Sequence, residues 1–513
     1  MEKFKKVPRF LFIHPEEENI GIEYLLASLK QNKIPVSLLY LPRLHNNIAF
    51  HFLKNKKNTS EEKVIRDKIR SYCPDVVCFS PFTSQYLWTV KQATLIKKSF
   101  PNIFILFGGV HVNSVPQYVI KERAIDGIMV GEADYQIIEF AKKLFLPREL
   151  IKVKSLWVKQ KNKVYRNAIA DLVSNLDSLP FADKDIFYSQ VPKPLTEVTY
   201  VIMASRGCPY ACSYCANNVY KKLYKGQKRL RFRSAENVVA ELSQAKEKYH
   251  FRMVEFFDDV LAVDEKRLKI LMDLYFKRVG LPFTCYMHPQ LINGRMIEML
   301  KKAGCCWLKL GVQSANEQYR KKYLNRWETN AQIIKVADLC HKHNLTFSLD
   351  HIFNLPGETE GNLIEAVKLY NRCRPTIINY GSLIYLPGTE IIGHGLRHGL
   401  LNKKDVEMIN QGKDPVVHMS NIELFSHRYK KLNNINLSVF AMFFSLIPLV
   451  PTAVINALLR AKIYYWKKPI PQPVLVVLKV LTKVRARQLY LYFSVFKTIF
   501  YFSVKGNKTK RWR

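Results

Sequence analysis

The chain has 513 residues, of which 48% are hydrophobic and 24% charged, so it can bury real cores, and wholesale disorder is excluded. Its formal charge is +38, and 17 Lys and Arg follow Glu423 with no Asp or Glu among them, which makes anionic lipid and nucleic acid the candidate partners of the tail. Ten cysteines are too few for a disulfide scaffold at this length. No secretory signal is legible in the opening residues, so the expectation is a reducing, cytoplasmic setting in which clustered cysteines hold metal.

Apolar runs at Arg9 to Ile13, Val36 to Tyr40, Asp75 to Ser80, Ile103 to Phe107 and Asp126 to Val130 predict strands. Between them, Gly21 to Asn32, Ser60 to Ser71, Gln85 to Ser99 and Pro116 to Lys121 have helical patterning. Such alternation predicts a parallel α/β sheet, whose ligands bind beyond the carboxyl ends of the strands. Those ends carry His14-Pro15, Ser80-Pro81-Phe82-Thr83, Gly108-Gly109-Val110-His111 and Gly131-Glu132. On spacing alone these are equally ordinary βα turns, and no GxGxxG marks a dinucleotide site.

The runs Phe107-Gly108-Gly109-Val110-His111 and Val130-Gly131-Glu132-Ala133-Asp134, with the Pro74–Ser80 strand and Thr83, resemble the cobalamin-binding domain that precedes many radical SAM domains. The resemblance implies a Rossmann-like, flavodoxin-type domain over residues 1–150, with Ser80, Thr83, Gly108, Gly109, His111, Gly131 and Glu132 lining the corrin. No histidine follows an Asp by two residues, so the Asp-x-His-x-x-Gly cobalt-ligating loop is absent. Residues 151–197 read as a connector without chemistry.

Ser205 to Cys215 contains Cys208, Cys212 and Cys215 in a C-x3-C-x2-C spacing, with Gly207 and Pro209 favouring a loop. Zinc would call for a fourth ligand at short spacing, and the next cysteine is Cys285. Three thiolates on a [4Fe–4S] cluster leave one iron open to a chelating ligand. The spacing, with Tyr214 before the last cysteine, resembles the signature of the radical SAM superfamily. That resemblance implies that the open iron binds S-adenosylmethionine, which is reductively cleaved to a 5′-deoxyadenosyl radical.

Downstream segments agree in order. Met253 to Asp259 reads as a strand ending in Asp258 and Asp259; Cys305 to Ser314 as a strand ending in Gln313 and Ser314; Thr346 to Leu355 as a strand before Pro356-Gly357-Glu358-Thr359; and Ile377 to Leu386 as the last strand. With strands near 199–204 and 283–287, about six are expected, fitting a partial (β/α)6 barrel of TIM type over 198–395. By resemblance, Tyr214, Asp258, Asp259, Gln313, Ser314, Gly357 and Glu358 help bind S-adenosylmethionine, although the family commonly has Glu where this chain has Gln313. Asp350 and His351 lie on the fifth strand, where His351 is either a general base or a core residue.

Residues 396–513 are expected to form a helical, basic and apolar tail. Asn433 to Leu459 runs 27 residues without a charge, long enough to cross a bilayer, but Pro448 and Pro451 interrupt it. Leu489 to Val504 and the basic Lys505 to Arg513 repeat the theme. The tail is expected to contact an anionic membrane on its inner face; the alternative is a helical cap on the barrel. Nucleic acid is not favoured, because the aromatics do not alternate with basic residues.

The family resemblance therefore implies a cobalamin-dependent radical SAM enzyme that transfers a methyl group, through methylcobalamin, to an unactivated carbon of a hydrophobic or lipid substrate. A flavodoxin or ferredoxin would supply the electron. The alternatives are radical cyclisation or rearrangement of a tetrapyrrole-like substrate, as in the anaerobic Mg-protoporphyrin monomethyl ester cyclase of the same family, and a non-catalytic, membrane-tethered cobalamin carrier.

Overall fold

A computed structural model describes residues 7–15, 18–41, 61–190, 199–413 and 435–485. The N-terminal sheet begins with five parallel strands: β1 (Phe10–Pro15), β2 (Val36–Leu41), β3 (Val76–Phe79), β4 (Phe104–Phe107) and β5 (Gly127–Met129). β1 and β3 are buried along their whole length. That is the mark of central parallel strands covered on both faces, and it explains why they read as continuous apolar runs and do not alternate. The expected strands and helices of this region are present, with additional helices at Gly109–Ser114, after β4, and at Gln136–Lys143, after β5.

The sheet runs on past residue 150. β6 (Leu156–Gln160) pairs antiparallel with β5, and β7 (Lys163–Arg166) with β6, giving the order β2-β1-β3-β4-β5-β6-β7. Part of the expected connector therefore belongs to the sheet. Lys184, also in that stretch, is buried, with its ammonium 2.7 Å from Glu23 and 2.5 Å from Glu18.

The second sheet is all parallel, in the order β15-β14-β13-β12-β11-β8. Its members are β8 (Thr199–Ile202), β11 (Met253–Phe256), β12 (Phe283–Met287), β13 (Cys305–Gln313), β14 (Phe347–Phe353) and β15 (Ile377–Ser382). A small antiparallel pair, β9 (Ser205–Arg206) and β10 (Arg231–Phe232), brackets the cysteine loop. Helices follow the strands and start on polar caps. Ser234, Asp264, Asn293, Thr329 and Thr359 each accept a hydrogen bond from the first turn of the helix they precede. Six strands close only part of a barrel, as expected.

The apolar run at 433–459 is neither a membrane span nor a surface hairpin over its first half. Helix Leu437–Leu446 packs into the hydrophobic layer that covers the barrel's outer face, where Val439, Phe440, Ala441, Phe443 and Phe444 are fully buried. Phe444 packs on His351, Phe353, Tyr370 and Tyr380 with ring centroids 4.8–6.1 Å apart. Its hydrophobicity answers to the outer face of β14 and β15, not to lipid. Among the described residues no helix is long and apolar enough to cross a membrane. Leu489 to Val504 and Lys505 to Arg513 lie outside the described residues.

Candidate active site

The cysteine loop leaves β8 at the carboxyl end of the barrel. Asp258, just past β11, accepts from the Ala204 amide at 3.1 Å and from the Ser205 hydroxyl, so it ties the neighbouring strand to the start of the loop. Burial pushes its carboxyl up to about 7. Asp259 accepts from Asn217 Nδ2 at 3.0 Å and faces the space between the two domains.

Each sulfur of the triple has an N–H donor. The backbone N–H of Tyr210 meets Cys208, and that of Asn217 meets Cys215, with Asn217 Nδ2 also 3.7 Å from the Cys215 sulfur. Arg326 Nη1 lies 3.7 Å from Cys212 Sγ. Such hydrogen bonds tune iron–sulfur clusters. Burial raises the Cys208 thiol to about 12 and raises Cys215 as well, so metal must displace protons on binding. Among the described residues no three His, Cys, Asp or Glu side chains converge on a single-ion site. Three sulfurs on one short loop, each beside an N–H donor, suit a cluster spread over several irons.

Arg326 is a residue the sequence reading missed. It is buried, donates to the Gly311 carbonyl at 2.6 Å, to Tyr214 Oη at 3.3 Å and to Glu328 at 2.7 Å, and so links β13 to the cysteine loop. Asn325 Nδ2 holds the Ala211 carbonyl and Ser213 Oγ the Tyr323 carbonyl, strapping the same loop. Nothing in the basic stretch Arg320 to Arg326 sets it apart from a solvated helix face; only its placement against the loop does.

The remaining barrel candidates are spread along the ends of β13 and β14. Gln313 ends β13 with φ +69°, its amide folded back toward Gly311. Ser314 is buried and its carbonyl accepts from Arg320 at 2.6 Å. Gly357 and Glu358 follow β14; Glu358 accepts from the Asn354 amide at 2.9 Å, and burial pushes its carboxyl up to about 8. His351 points away from the barrel interior, with Nδ1 2.8 Å from Tyr370 Oη, which resolves it as a core residue.

A cavity of about 380 Å³ opens between the domains, at the carboxyl ends of the N-terminal strands. Ser80, Gly108, Gly109, Gly131 and Glu132 line it from one side, and Arg206, Asn217, Tyr220, Tyr224 and Asp259 from the other. Gly131 has φ +94°, and a Cβ there would lie 2.2 Å from Tyr224 Oη, so the two domains leave no room for a side chain. Thr83 and His111 do not line the cavity. They pair beneath Tyr86, with His111 Nδ1 3.2 Å from Thr83 Oγ1 and the His111 and Tyr86 rings stacked at 4.0 Å. Burial lowers His111 to about 3, so it is neutral.

Glu132 is turned to the domain junction. Its carboxylate receives Arg231 at 2.5 and 2.9 Å, and its amide donates to Tyr224 Oη at 2.6 Å. Arg206 grips Asp134 with two bonds of 2.8 and 3.0 Å. These forked pairs hold the cavity's two walls together.

The B12 binding domain family matches residues 13–141, and the Radical SAM superfamily matches residues 202–370. An uncharacterized methyltransferase of Pyrococcus horikoshii is 26% identical over 77% of this chain and 85% of its own length. The anaerobic magnesium-protoporphyrin IX monomethyl ester cyclase of Rubrivivax gelatinosus is 21% identical over 74% of this chain and 68% of its own. In fold, the chain is similar to the cobalamin-dependent S-adenosylmethionine radical enzyme OxsB, with TM-score 0.65, 15% identity, and coverage of 99% of this chain and 82% of that one.

Proposed function

Because this chain belongs to the radical SAM enzymes that carry an N-terminal B12-binding domain, a family that works with a [4Fe–4S] cluster, S-adenosylmethionine and cobalamin, we propose that it methylates an unactivated carbon of a hydrophobic substrate. The observation that carries this reading is the cavity, which has the candidate corrin-side residues Ser80, Gly108, Gly109 and Gly131 on one wall and Asn217 and Asp259, neighbours of the cysteine loop, on the other. When bound, the three cofactors supply reductive radical formation and a transferable methyl group. The chain's own part is to hold and shield them. Cys208, Cys212 and Cys215 would ligate the cluster. Tyr214, Asp259, Gln313, Ser314, Gly357 and Glu358 would surround S-adenosylmethionine, with Asp258 fixing the loop they face. A flavodoxin or ferredoxin would deliver the electron.

The experiment is anaerobic reconstitution with iron, sulfide and hydroxocobalamin, then incubation with methyl-labelled S-adenosylmethionine and a lipid extract. Label in an extracted product supports methylation. A product that carries no label but has lost hydrogen would instead match the cyclase relative.

The proposal includes peripheral contact with an anionic membrane at the inner face of the cell. Its support is a surface different from the one the apolar run suggested. Tyr465, Trp466 and Val477 are all more than half exposed, on a stretch bearing Lys462, Lys467, Lys468 and Lys479 and no acid. Sedimentation with phosphatidylglycerol vesicles, but not with phosphatidylcholine vesicles, is expected; protein left in the supernatant with both would defeat this part.

A further inference from the structure

Two basic segments cover the middle of the cysteine loop. From Gln318 to Trp327 the chain carries Arg320, Lys321, Lys322 and Arg326 and no acid. From Ile391 to Lys404 it carries Arg397, Lys403 and Lys404, with His394 and His398, and again no acid. Both segments are fastened to the loop. The Ser213 amide donates to the Leu324 carbonyl at 3.1 Å, and the Ile391 amide donates to the Ser213 carbonyl at 2.9 Å. Asn325 Nδ2 donates to the Ala211 carbonyl at 2.9 Å. Ala211, Cys212 and Ser213 are buried beneath them. Tyr323 joins the two segments, its ring centroid 5.2 Å from that of His394 and 5.3 Å from that of His398.

The outer surface of this cover is basic and aromatic. Lys321, Lys322, Arg397, Lys403 and Lys404 are exposed, against two exposed acids, Glu317 and Glu390, that precede the segments. Partial burial lowers the His394 pKa, and Arg397, His398 and Lys322 lower it further against Glu390, which places Lys322 and Arg397 near one another. Trp327 is 56% exposed, with Lys321 Nζ 4.6 Å above its ring. Its indole Nε1 donates to Asn325 Oδ1 at 3.1 Å, so an exposed aromatic ring reaches the Ala211 carbonyl, next to Cys212, through one side chain. Arg326, between Trp327 and Asn325 in the chain, contacts Cys212 itself. The flanks of the loop turn another way: Gly207 and Asn217 line the cavity between the domains, which cofactors and substrate would fill.

We infer that the surface around Trp327, Lys321, Lys322 and Arg397 is where a reduced flavodoxin docks. Such a carrier is acidic and exposes one edge of its flavin, which suits a group of cations around an open indole. Electron-transfer encounters are small and steered by charge, so a patch of a few cations suffices. One electron leaves the flavodoxin, which is oxidised, and enters the cluster, which is reduced; no bond forms or breaks. This rests on the radical reading above for the need of an electron, and it assigns the point of entry.

The test uses the full-length reconstituted protein and purified flavodoxin. Two readouts are independent of turnover: the dissociation constant, from surface plasmon resonance, and the rate at which reduced flavodoxin bleaches the cluster's visible absorbance. Lys321→Glu combined with Lys322→Glu should weaken binding and slow this reduction roughly tenfold at low ionic strength, and should flatten the salt dependence of both. Arg397→Glu should act in the same direction from the other segment. Reduction by dithionite, which needs no docking, should keep the wild-type rate in these variants. Wild-type protein that does not bind flavodoxin, or a doubly reversed variant that binds and is reduced as the wild type is, overturns the inference. So does a dithionite rate that falls in step with the flavodoxin rate, because the substitutions would then act on the cluster site and not on docking. Absence of iron, or of 5′-deoxyadenosine formation with dithionite as reductant, defeats the radical reading instead, and the binding constants still test the docking surface.

Discussion

Arg326 and Cys212 are 114 positions apart in the chain, yet the guanidinium Nη1 lies 3.7 Å from the sulfur. The same guanidinium holds Gly311 and pairs with Glu328, so one buried cation joins a barrel strand to the middle cysteine. A cation beside a thiolate stabilises the charged form and offsets the electron density that a reduced cluster places on its sulfur.

Arg326→Lys keeps the charge but loses the fork that reaches Gly311, Glu328 and Cys212 together. Second-shell partners of metal ligands typically contribute about 10–100-fold in affinity or activity. The expected result is a loss of that order in 5′-deoxyadenosine formation and a more negative cluster potential, read by redox titration of the visible absorbance. An unchanged potential would make Arg326 a purely structural brace.

Cys212→Ala removes one of three sulfurs. Iron per chain after reconstitution should fall steeply, and S-adenosylmethionine cleavage should disappear, while the circular dichroism spectrum stays native. Full iron content with undiminished cleavage would refute the ligand assignment.

Gly131→Ala forces a side chain into a left-handed backbone position and against Tyr224 Oη. Backbone strain of this kind costs about 1–3 kcal/mol. The melting temperature should drop, and adding Tyr224→Phe should recover part of the loss by removing the contacted oxygen. A variant as stable as the parent would mean that the domains re-dock freely.

Burial raises the Asp258 carboxyl to about 7, from an ordinary value near 3.8. The folded state therefore holds a proton that the unfolded state has lost between those values. Its stabilising contribution is complete below the unfolded pKa and declines as pH rises through about 7. Buried neutral histidines such as His111 act in the opposite sense, so the variant difference is the useful quantity. The melting temperature of Asp258→Asn relative to wild type, in metal-free protein, should rise between pH 5 and pH 8. A pH-independent difference would argue that Asp258 is ionised throughout.

Phe444→Ala empties a site ringed by His351, Phe353, Tyr370 and Tyr380. Large-to-small changes of this type cost about 3–5 kcal/mol. Urea unfolding in the absence of lipid should show the loss. A variant with parental stability would return helix Leu437–Leu446 to the membrane account.

Much was legible from local pattern. Continuous apolar runs marked β1 and β3 because both of their faces are covered, and three cysteines in one short loop announced a cluster because ligand spacing is a local property. What only the tertiary structure decided depends on groups far apart in the chain. The apolar run at 433–459 looked like a lipid segment because hydrophobicity does not say which apolar phase it enters, and packing sent its first half into the hydrophobic layer on the barrel's outer face. His111 and Glu132 stood beside glycines in sequence, but their side chains turn to Thr83 and to Arg231, because a strand-end position fixes a backbone and not the direction of a rotamer. The bond from Arg326 to Cys212 and the Lys309–Glu255 ion pair come from the closure of six parallel strands, which brings together residues that no spacing rule connects.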